Sequence, residues 1–379
     1  MSIGEKKDVA GMDYPRVALG AWHGMPIGTS LEMWIRNGGS FSWRRTDRLI
    51  TILLAGILNS SLNSMDRLLY GRRVRESELR HPPVFIVGHW RTGTTLLHEL
   101  LVRDPQFTYP STYQCFAPAH FLISAEILPR MLNWLLPQRR PMDNMPVGWR
   151  HPQEDEFALC NQGIRSPYLF WMYPDRPCPF DNYLDLSGID EAELTRWKEG
   201  LLRFMKRVSL RDPRTLVLKS PTHTARIKVL LEMFPEARFI HLVRDPQVMI
   251  PSTILTWRRL GQVSGVRVHL RDDLTEYVLD NFRRMDISFE QQRSLIPASQ
   301  FYQVRFEDLT ARMVDTVVDL YEHFSLGDIA TIHPQLEAYV DENKNYRKNA
   351  FEVDSELRDL IAHECRAYSE RYGYENATV

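Results

Sequence analysis

Gly88 and Gly93 have four residues between them, follow the apolar run Val84–Val87, and lead through Thr94 and Thr95 into a helical pattern. Glycines let the chain turn so that successive N–H groups face one concavity, and the helix that follows adds the positive end of its dipole. The spacing is that of a phosphate-cradling P-loop, except that Thr94 stands where nucleotide triphosphatases carry Lys. An ordinary strand-to-helix turn can look the same in isolation. Further on come Lys219-Ser220-Pro221-Thr222-His223, and Arg244-Asp245-Pro246 with Ser252. Each has a structural reading by itself, Arg244 pairing with Asp245 or Glu236 and Ser252 lying on a helix surface. Their succession in one chain points to a single anion site.

Such turns need a sheet to position them. Apolar or β-branched runs at Val84–Val87, Thr215–Lys219, Phe239–Val243 and Phe301–Phe306 read as strands. Helical patterns lie between them: Thr94–Arg103, about 190–210, a segment capped at Ser220 and running to Phe234, and one opened by Arg244-Asp245-Pro246. Alternation of this kind predicts an α/β fold with a mostly parallel sheet and helices on both faces, its ligands at the carboxyl ends of the strands. His81-Pro82-Pro83 forbids helix and marks a boundary. Residues 1–80 read as a helical N-terminal extension, with helices at about 31–37, 46–60 and 62–71, and 81–379 as the main domain. The stretch 107–183 is rich in aromatics and prolines. It suits a greasy substrate pocket, or loops packed on the core by their rings.

The 379 residues are 44% hydrophobic, enough for a sizeable core. A net charge of −1 supplies no field to attract nucleic acid, so an anion site must be local. The 4 cysteines are scattered, with no metal spacing, and suit a reducing compartment. Behind Met1 there is no apolar core of a secretory signal, which makes a cytoplasmic location the expectation. The apolar run Leu49–Leu58 reads as too short to span a bilayer. With Arg44, Arg45, Arg48, Arg67, Arg72, Arg73 and Arg75 around it, the segment 44–75 can lie in a membrane interface as a peripheral contact, or pack on the core with a solvated Arg face. Oligomeric state is not readable.

From about Pro83 to Phe351 the sequence resembles the sulfotransferases that use 3′-phosphoadenosine 5′-phosphosulfate, in particular their bacterial-type branch, with a P-loop-type fold. Arg91-Thr92-Gly93-Thr94-Thr95 looks like that family's 5′-phosphosulfate loop. Arg244-Asp245-Pro246 with Ser252 is similar to its 3′-phosphate motif. Tyr302 falls in a run like the late strand that helps to place the adenosine, ahead of the pair Glu307-Asp308. Arg347 and Lys348 fall where cytosolic members keep a basic loop, although the glycine that follows there is absent. The resemblance implies sulfuryl transfer from 3′-phosphoadenosine 5′-phosphosulfate to a hydroxyl of a small acceptor. The residue chemistry agrees: Thr94 removes the lysine that a kinase uses on its phosphates, and Arg244 can fork two donors onto a 3′-phosphate while Ser252 adds a hydroxyl.

In-line transfer builds charge on the bridging oxygen, with Arg91, the loop N–H groups and Lys219 to stabilise it, and the scheme requires no metal. For the base, Tyr113-Gln114 offers no acid where glutamate-dependent relatives have one. Glu154 and Glu156, in a carboxylate cluster with Asp155 beside His151, are expected to raise one another's pKa, unless they only cap a helix. His223 is the other contender. A P-loop small-molecule kinase and a non-enzymatic membrane-peripheral binding protein stand as alternatives. The aromatics of 107–183 lean toward a lipophilic alcohol, such as a lipid, isoprenoid or polyketide hydroxyl.

Overall fold

The computed structural model describes residues 3–5, 20–135, 148–343 and 351–375. Its centre is a five-stranded, all-parallel sheet in the order β3 (Phe107–Thr108), β4 (Thr215–Lys219), β2 (Val84–Val87), β5 (Arg238–Val243), β6 (Phe301–Arg305). A separate antiparallel pair joins β1 (Ile3–Glu5) to β7 (Phe351–Val353). The chain enters the main sheet at its middle, moves to one edge through β3 and β4, and then to the other through β5 and β6. Topology therefore switches sides at β2, and at that switch point the carboxyl ends of β4, β2 and β5 frame a crevice. Residues 84–87 and 216–219 are buried throughout, as expected of strands covered by helices on both faces.

Helices follow the expected alternation with three revisions. The segments 46–60 and 62–71 are one continuous helix of 31 residues, Thr46–Glu76, because no proline separates them and Gly56 is held against its neighbour. A Cβ at Gly56 would lie 3.1 Å from Ile27 N and Cα, so glycine lets the helix Ile27–Arg36 approach. The long helix with the turn before it, Trp43–Glu76, is long and apolar enough by length and composition to cross a membrane, which revises the reading of its apolar run as too short. Beyond β4 the chain makes a 3-10 turn, Pro221–Ala225, before the helix Ile227–Met233, since the Ser220 hydroxyl is taken by Asp155 and does not cap. The loop helix spans Thr94–Leu101.

The N-terminal helices are built into the main body. Trp22, Met25 and Ile52 share one hydrophobic cluster with Phe85, Phe157 and Trp171. Asp66 on the long helix pairs with Arg207 at 2.8 Å, both side chains buried. The aromatics of 107–183 mostly pack as core: Tyr168, Phe170 and Trp171 are no more than 2% exposed, whereas Trp134 is 76% exposed. The expected greasy pocket is to that extent a ring-packed wall.

Candidate active site

The turn after β2 is shaped by close approaches. Gly88 has φ 145° and a Cβ there would meet Leu242 O at 2.6 Å; Gly93 has φ 93° and a Cβ there would lie 2.3 Å from the Phe306 ring. Only glycine fits either place. Between them Arg91 adopts φ 71°, a left-handed conformation that costs a non-glycine residue about 1–3 kcal/mol. Such strain is retained where the surroundings fix the side chain, and here they aim the guanidinium: Arg91 Nε donates to Ser252 Oγ at 3.0 Å. Thr92 is buried and donates to His89 O at 2.7 Å, and the Gly88 N–H donates to Thr224 Oγ1 at 2.7 Å. Gly88 thus serves the loop's own shape, leaving the N–H groups of Gly93, Thr94 and Thr95, at the opening turn of the loop helix, for an anion.

Arg244, just past β5, closes the other side. Its guanidinium donates to Arg91 O at 2.7 Å and lies 4.0 Å from the Phe306 ring centre, while its N–H donates to Tyr368 OH at 3.2 Å. Asp245 turns away to cap the following helix, accepting from the Gln247 N–H at 2.8 Å. Among the described residues Arg244 hydrogen-bonds to no carboxylate. Burial and the neighbouring charge of Arg91 bring its pKa down to about 10, which leaves it charged at neutral pH. Two guanidiniums and a hydroxyl thus meet over an aromatic floor, an arrangement that a bound phosphate dianion completes.

The three acids ahead of the helix Asp155–Asn161 part company. Glu154 occupies the N-cap position, yet its side chain caps nothing. It faces Lys219 instead, Nζ to Oε1 at 2.7 Å, and accepts from Tyr168 OH at 2.5 Å. Lys219 Nζ also lies 3.3 Å from Thr95 Oγ1, so it bridges Glu154 to the anion loop. Trp90 Nε1 donates to Tyr168 OH at 3.2 Å, and burial with the nearby Glu154 charge raises the Tyr168 pKa well above its ordinary value, keeping it a donor. Asp155 accepts from Ser220 Oγ at 2.9 Å and lies 2.7 Å from His223 Nε2. Glu156 is fully buried, held by Arg226 at 2.6 and 3.1 Å, by Thr222 Oγ1 at 2.9 Å and by Ser166 Oγ at 2.5 Å. Burial alone would raise both carboxyl pKa values, but His223 beside Asp155 and Arg226 beside Glu156 outweigh it and hold them below the usual range.

The sequence from 82 to 329 matches the model of the Sulfotransferase family, a span that contains the loop, Glu154, Lys219, Arg244 and Ser252. The chain belongs to the sulfotransferase family. It is 39% identical over 357 residues to omega-hydroxy-beta-dihydromenaquinone-9 sulfotransferase Stf3 of Mycobacterium tuberculosis and of Mycobacterium bovis, covering 94% of this chain and 92% of each relative. Its fold is similar to the crystal structure of sulfotransferase STF9 from Mycobacterium avium, with TM-score 0.69 and 18% identity over 87% of this chain and 86% of that one. Sulfotransferase STF1 from Mycobacterium tuberculosis matches with TM-score 0.60 and 18% identity over 95% and 99% of the two chains. The kinase and non-enzymatic readings that the loop alone left open give way to this assignment.

In this sulfotransferase the fold brings together Arg91, Thr92, Gly93, Thr94, Thr95, Glu154, Lys219, Arg244 and Ser252 around one crevice. Other expected residues lie elsewhere. Glu156 is saturated by Arg226, Thr222 and Ser166, and the expected rise does not occur at Asp155 or Glu156, because His223 stands beside the first and Arg226 beside the second. His223 is fully buried beneath β2, edge-on to Phe85 at 5.5 Å and bound to Asp155, away from solvent. Tyr302 pairs in register with Ile240, early in β6, and its ring packs on His323 at 5.0 Å, distant from the carboxyl ends. Phe306, four residues later and the first residue of the helix that follows that strand, is the ring that meets the loop and Arg244. Arg347 and Lys348 lie outside the described residues. Sequence reasoning also missed Tyr168 and Trp90, which only the fold sets beside Glu154. His98, on the loop helix, is fully buried near Lys219 and held neutral with a pKa pushed down to about 3 by burial and the lysine charge.

Proposed function

We propose that the chain moves a sulfuryl group from 3′-phosphoadenosine 5′-phosphosulfate to a hydroxyl of a lipophilic acceptor. The observation that carries this reading is the meeting of Arg91, Arg244 and Ser252 without a carboxylate partner for Arg244, one lysine away from Glu154. The guanidiniums and Ser252 take the 3′-phosphate, a change from the bridging-oxygen role expected of Arg91 that rests on its Nε facing Ser252, and the opening N–H groups of the loop helix take the 5′-phosphosulfate. Glu154 is the base. At rest its two oxygens hold Lys219 and Tyr168; on donor binding Lys219 turns toward the bridging oxygen, on the side where Thr95 already lies within reach, and frees one carboxylate oxygen for the acceptor hydroxyl. The acceptor oxygen then forms its bond to sulfur as the bond from sulfur to the bridging phosphate oxygen breaks. Glu154 receives the proton, and 3′-phosphoadenosine 5′-phosphate leaves with the electron pair.

The acceptor class is supported by the relatives named for a hydroxylated menaquinone derivative and by the ring-packed wall beside Glu154. A primary hydroxyl on a polyprenyl-type chain meets both. Incubating the full chain with sulfur-labelled donor and a hydroxylated polyprenyl quinone tests the reading. Label in the lipid phase, abolished by Glu154→Gln, is expected. Transfer that is unchanged in Glu154→Gln removes the base, and label found only on water-soluble alcohols removes the acceptor class.

A further inference from the structure

The long helix Thr46–Glu76 leaves most of its large apolar side chains outside. Its six buried positions are Arg48, Ile52, Gly56, Asn59, Asp66 and Val74, whereas Ile50, Leu54, Ile57, Met65, Leu68 and Leu69 face solvent, each 51–86% exposed. A helix on a soluble surface has the opposite polarity. The exposed residues follow one another at steps of four, three, eight, three and one, which at about 3.6 residues per turn keeps all six in one sector, so they form a single stripe along the helix. Contiguous apolar area of this extent marks an interaction surface. The inward groups fasten the helix lengthwise to the body: Asp66 to Arg207 at 2.8 Å, Asn59 Nδ2 to His23 O at 2.7 Å, and Asn59 Oδ1 to His120 Nε2 at 3.1 Å. Crossing a bilayer would carry those groups into hydrocarbon, so a helix held this way lies along an interface.

We propose that this stripe docks the enzyme on an anionic phospholipid surface, with the helix in the plane of the headgroups. Charge identifies the occupant. Arg44 precedes the helix, and Arg67, Arg72, Arg73 and Arg75 crowd its far end, all exposed, against the exposed acids Asp47 and Glu76 in a chain whose net charge is −1. Each end pairs an aromatic ring with an arginine, Trp43 with Arg44 at 5.6 Å and Tyr70 with Arg73 at 5.5 Å, about 40 Å apart along the helix at its ordinary rise. Ring and guanidinium together are what the headgroup level selects. A second copy of this chain fits poorly, because both ends are basic and pairing the stripe in either direction sets arginines against arginines. Anionic headgroups neutralise both ends at once. Docking goes beyond the proposed reaction and does not depend on it, although it brings the enzyme to the phase that holds a polyprenyl acceptor.

Vesicle flotation with the full chain tests the proposal, comparing vesicles of phosphatidylglycerol with phosphatidylcholine against phosphatidylcholine alone. The wild type is expected to float with the anionic vesicles. Leu54→Glu with Leu68→Glu should weaken that binding by about tenfold per substituted leucine. Arg44→Gln, Arg72→Gln and Arg73→Gln together should remove the preference for anionic lipid. Affinity for 3′-phosphoadenosine 5′-phosphate, measured on the same samples, should stay unchanged in every variant, which separates failure here from failure of the proposed reaction. Wild type that stays with the unbound protein, or glutamate variants that float equally well, would overturn the proposal. So would a dimer in analytical ultracentrifugation that the glutamate variants dissolve, since it assigns the stripe to a second copy.

Discussion

Glu154, Asp155 and Glu156 are adjacent in sequence and differ in what each meets, which decides their chemistry. Glu154 keeps a carboxylate oxygen on Lys219, a group that a donor can draw away. Glu156 is locked by Arg226, which also stacks 5.0 Å from the Trp197 ring. Glu154→Gln is therefore expected to lower kcat by about a hundredfold or more while leaving affinity for 3′-phosphoadenosine 5′-phosphate intact. Glu156→Gln should act on stability, by about 3–5 kcal/mol in urea unfolding, because it strands a buried guanidinium. A Glu156→Gln protein as stable as the wild type but inactive would reverse the two assignments. The depressed pKa values of Asp155 and Glu156 also give a direction with pH. Both contribute stability above their ordinary values of 3.8 and 4.5, and lose it as pH falls through the lower folded values.

At the level of elements, the loop between β2 and its helix depends on Gly93 as much as on any charged residue. Gly93→Ala forces a Cβ into Phe306 at a positive φ, and Phe306 is the floor beneath Arg244. The substitution should weaken donor-product binding in calorimetry even in protein that remains folded by circular dichroism; unchanged affinity would detach Phe306 from the site. This loop, Lys219 and the Arg244–Ser252 pair were legible in the sequence because their signals are local: glycine spacing, a strand end, and one helical stretch. Phe306 and Tyr168 were not, since the first gains its role from the approach of Gly93 and the second from a contact 14 residues away with Glu154. Nor could the acids be told apart, as Arg226 lies 70 residues from Glu156. The long helix was divided into 46–60 and 62–71 although no proline separates them, and that its buried positions mix Arg48, Asn59 and Asp66 with Ile52 and Val74 is visible only in the fold.

Across the whole molecule, the strand order β3-β4-β2-β5-β6 sets the turns after β4, β2 and β5 along one edge, and the alternation of strands and helices was enough to expect that edge. The same burial that builds the sheet's surroundings makes the protein acid-sensitive. His89, His98 and His241 are buried with pKa values lowered to about 4, about 3 and about 3, from an ordinary 6.5. Below pH 6.5 the unfolded chain takes up protons that the folded one refuses, so stability should be highest above that pH and decline steadily toward pH 4. Thermal unfolding at a series of pH values would detect it, and a melting temperature that is flat from pH 7 to 5 would contradict it. Whether Arg91, Arg244 and Ser252 hold the 3′-phosphate of the sulfuryl donor is tested most directly by calorimetric titration with 3′-phosphoadenosine 5′-phosphate, against ATP as control. Tight binding of the bisphosphate over ATP, lost by about a hundredfold in folded Arg244→Ala, is the predicted result; equal affinity of wild type and Arg244→Ala would contradict it.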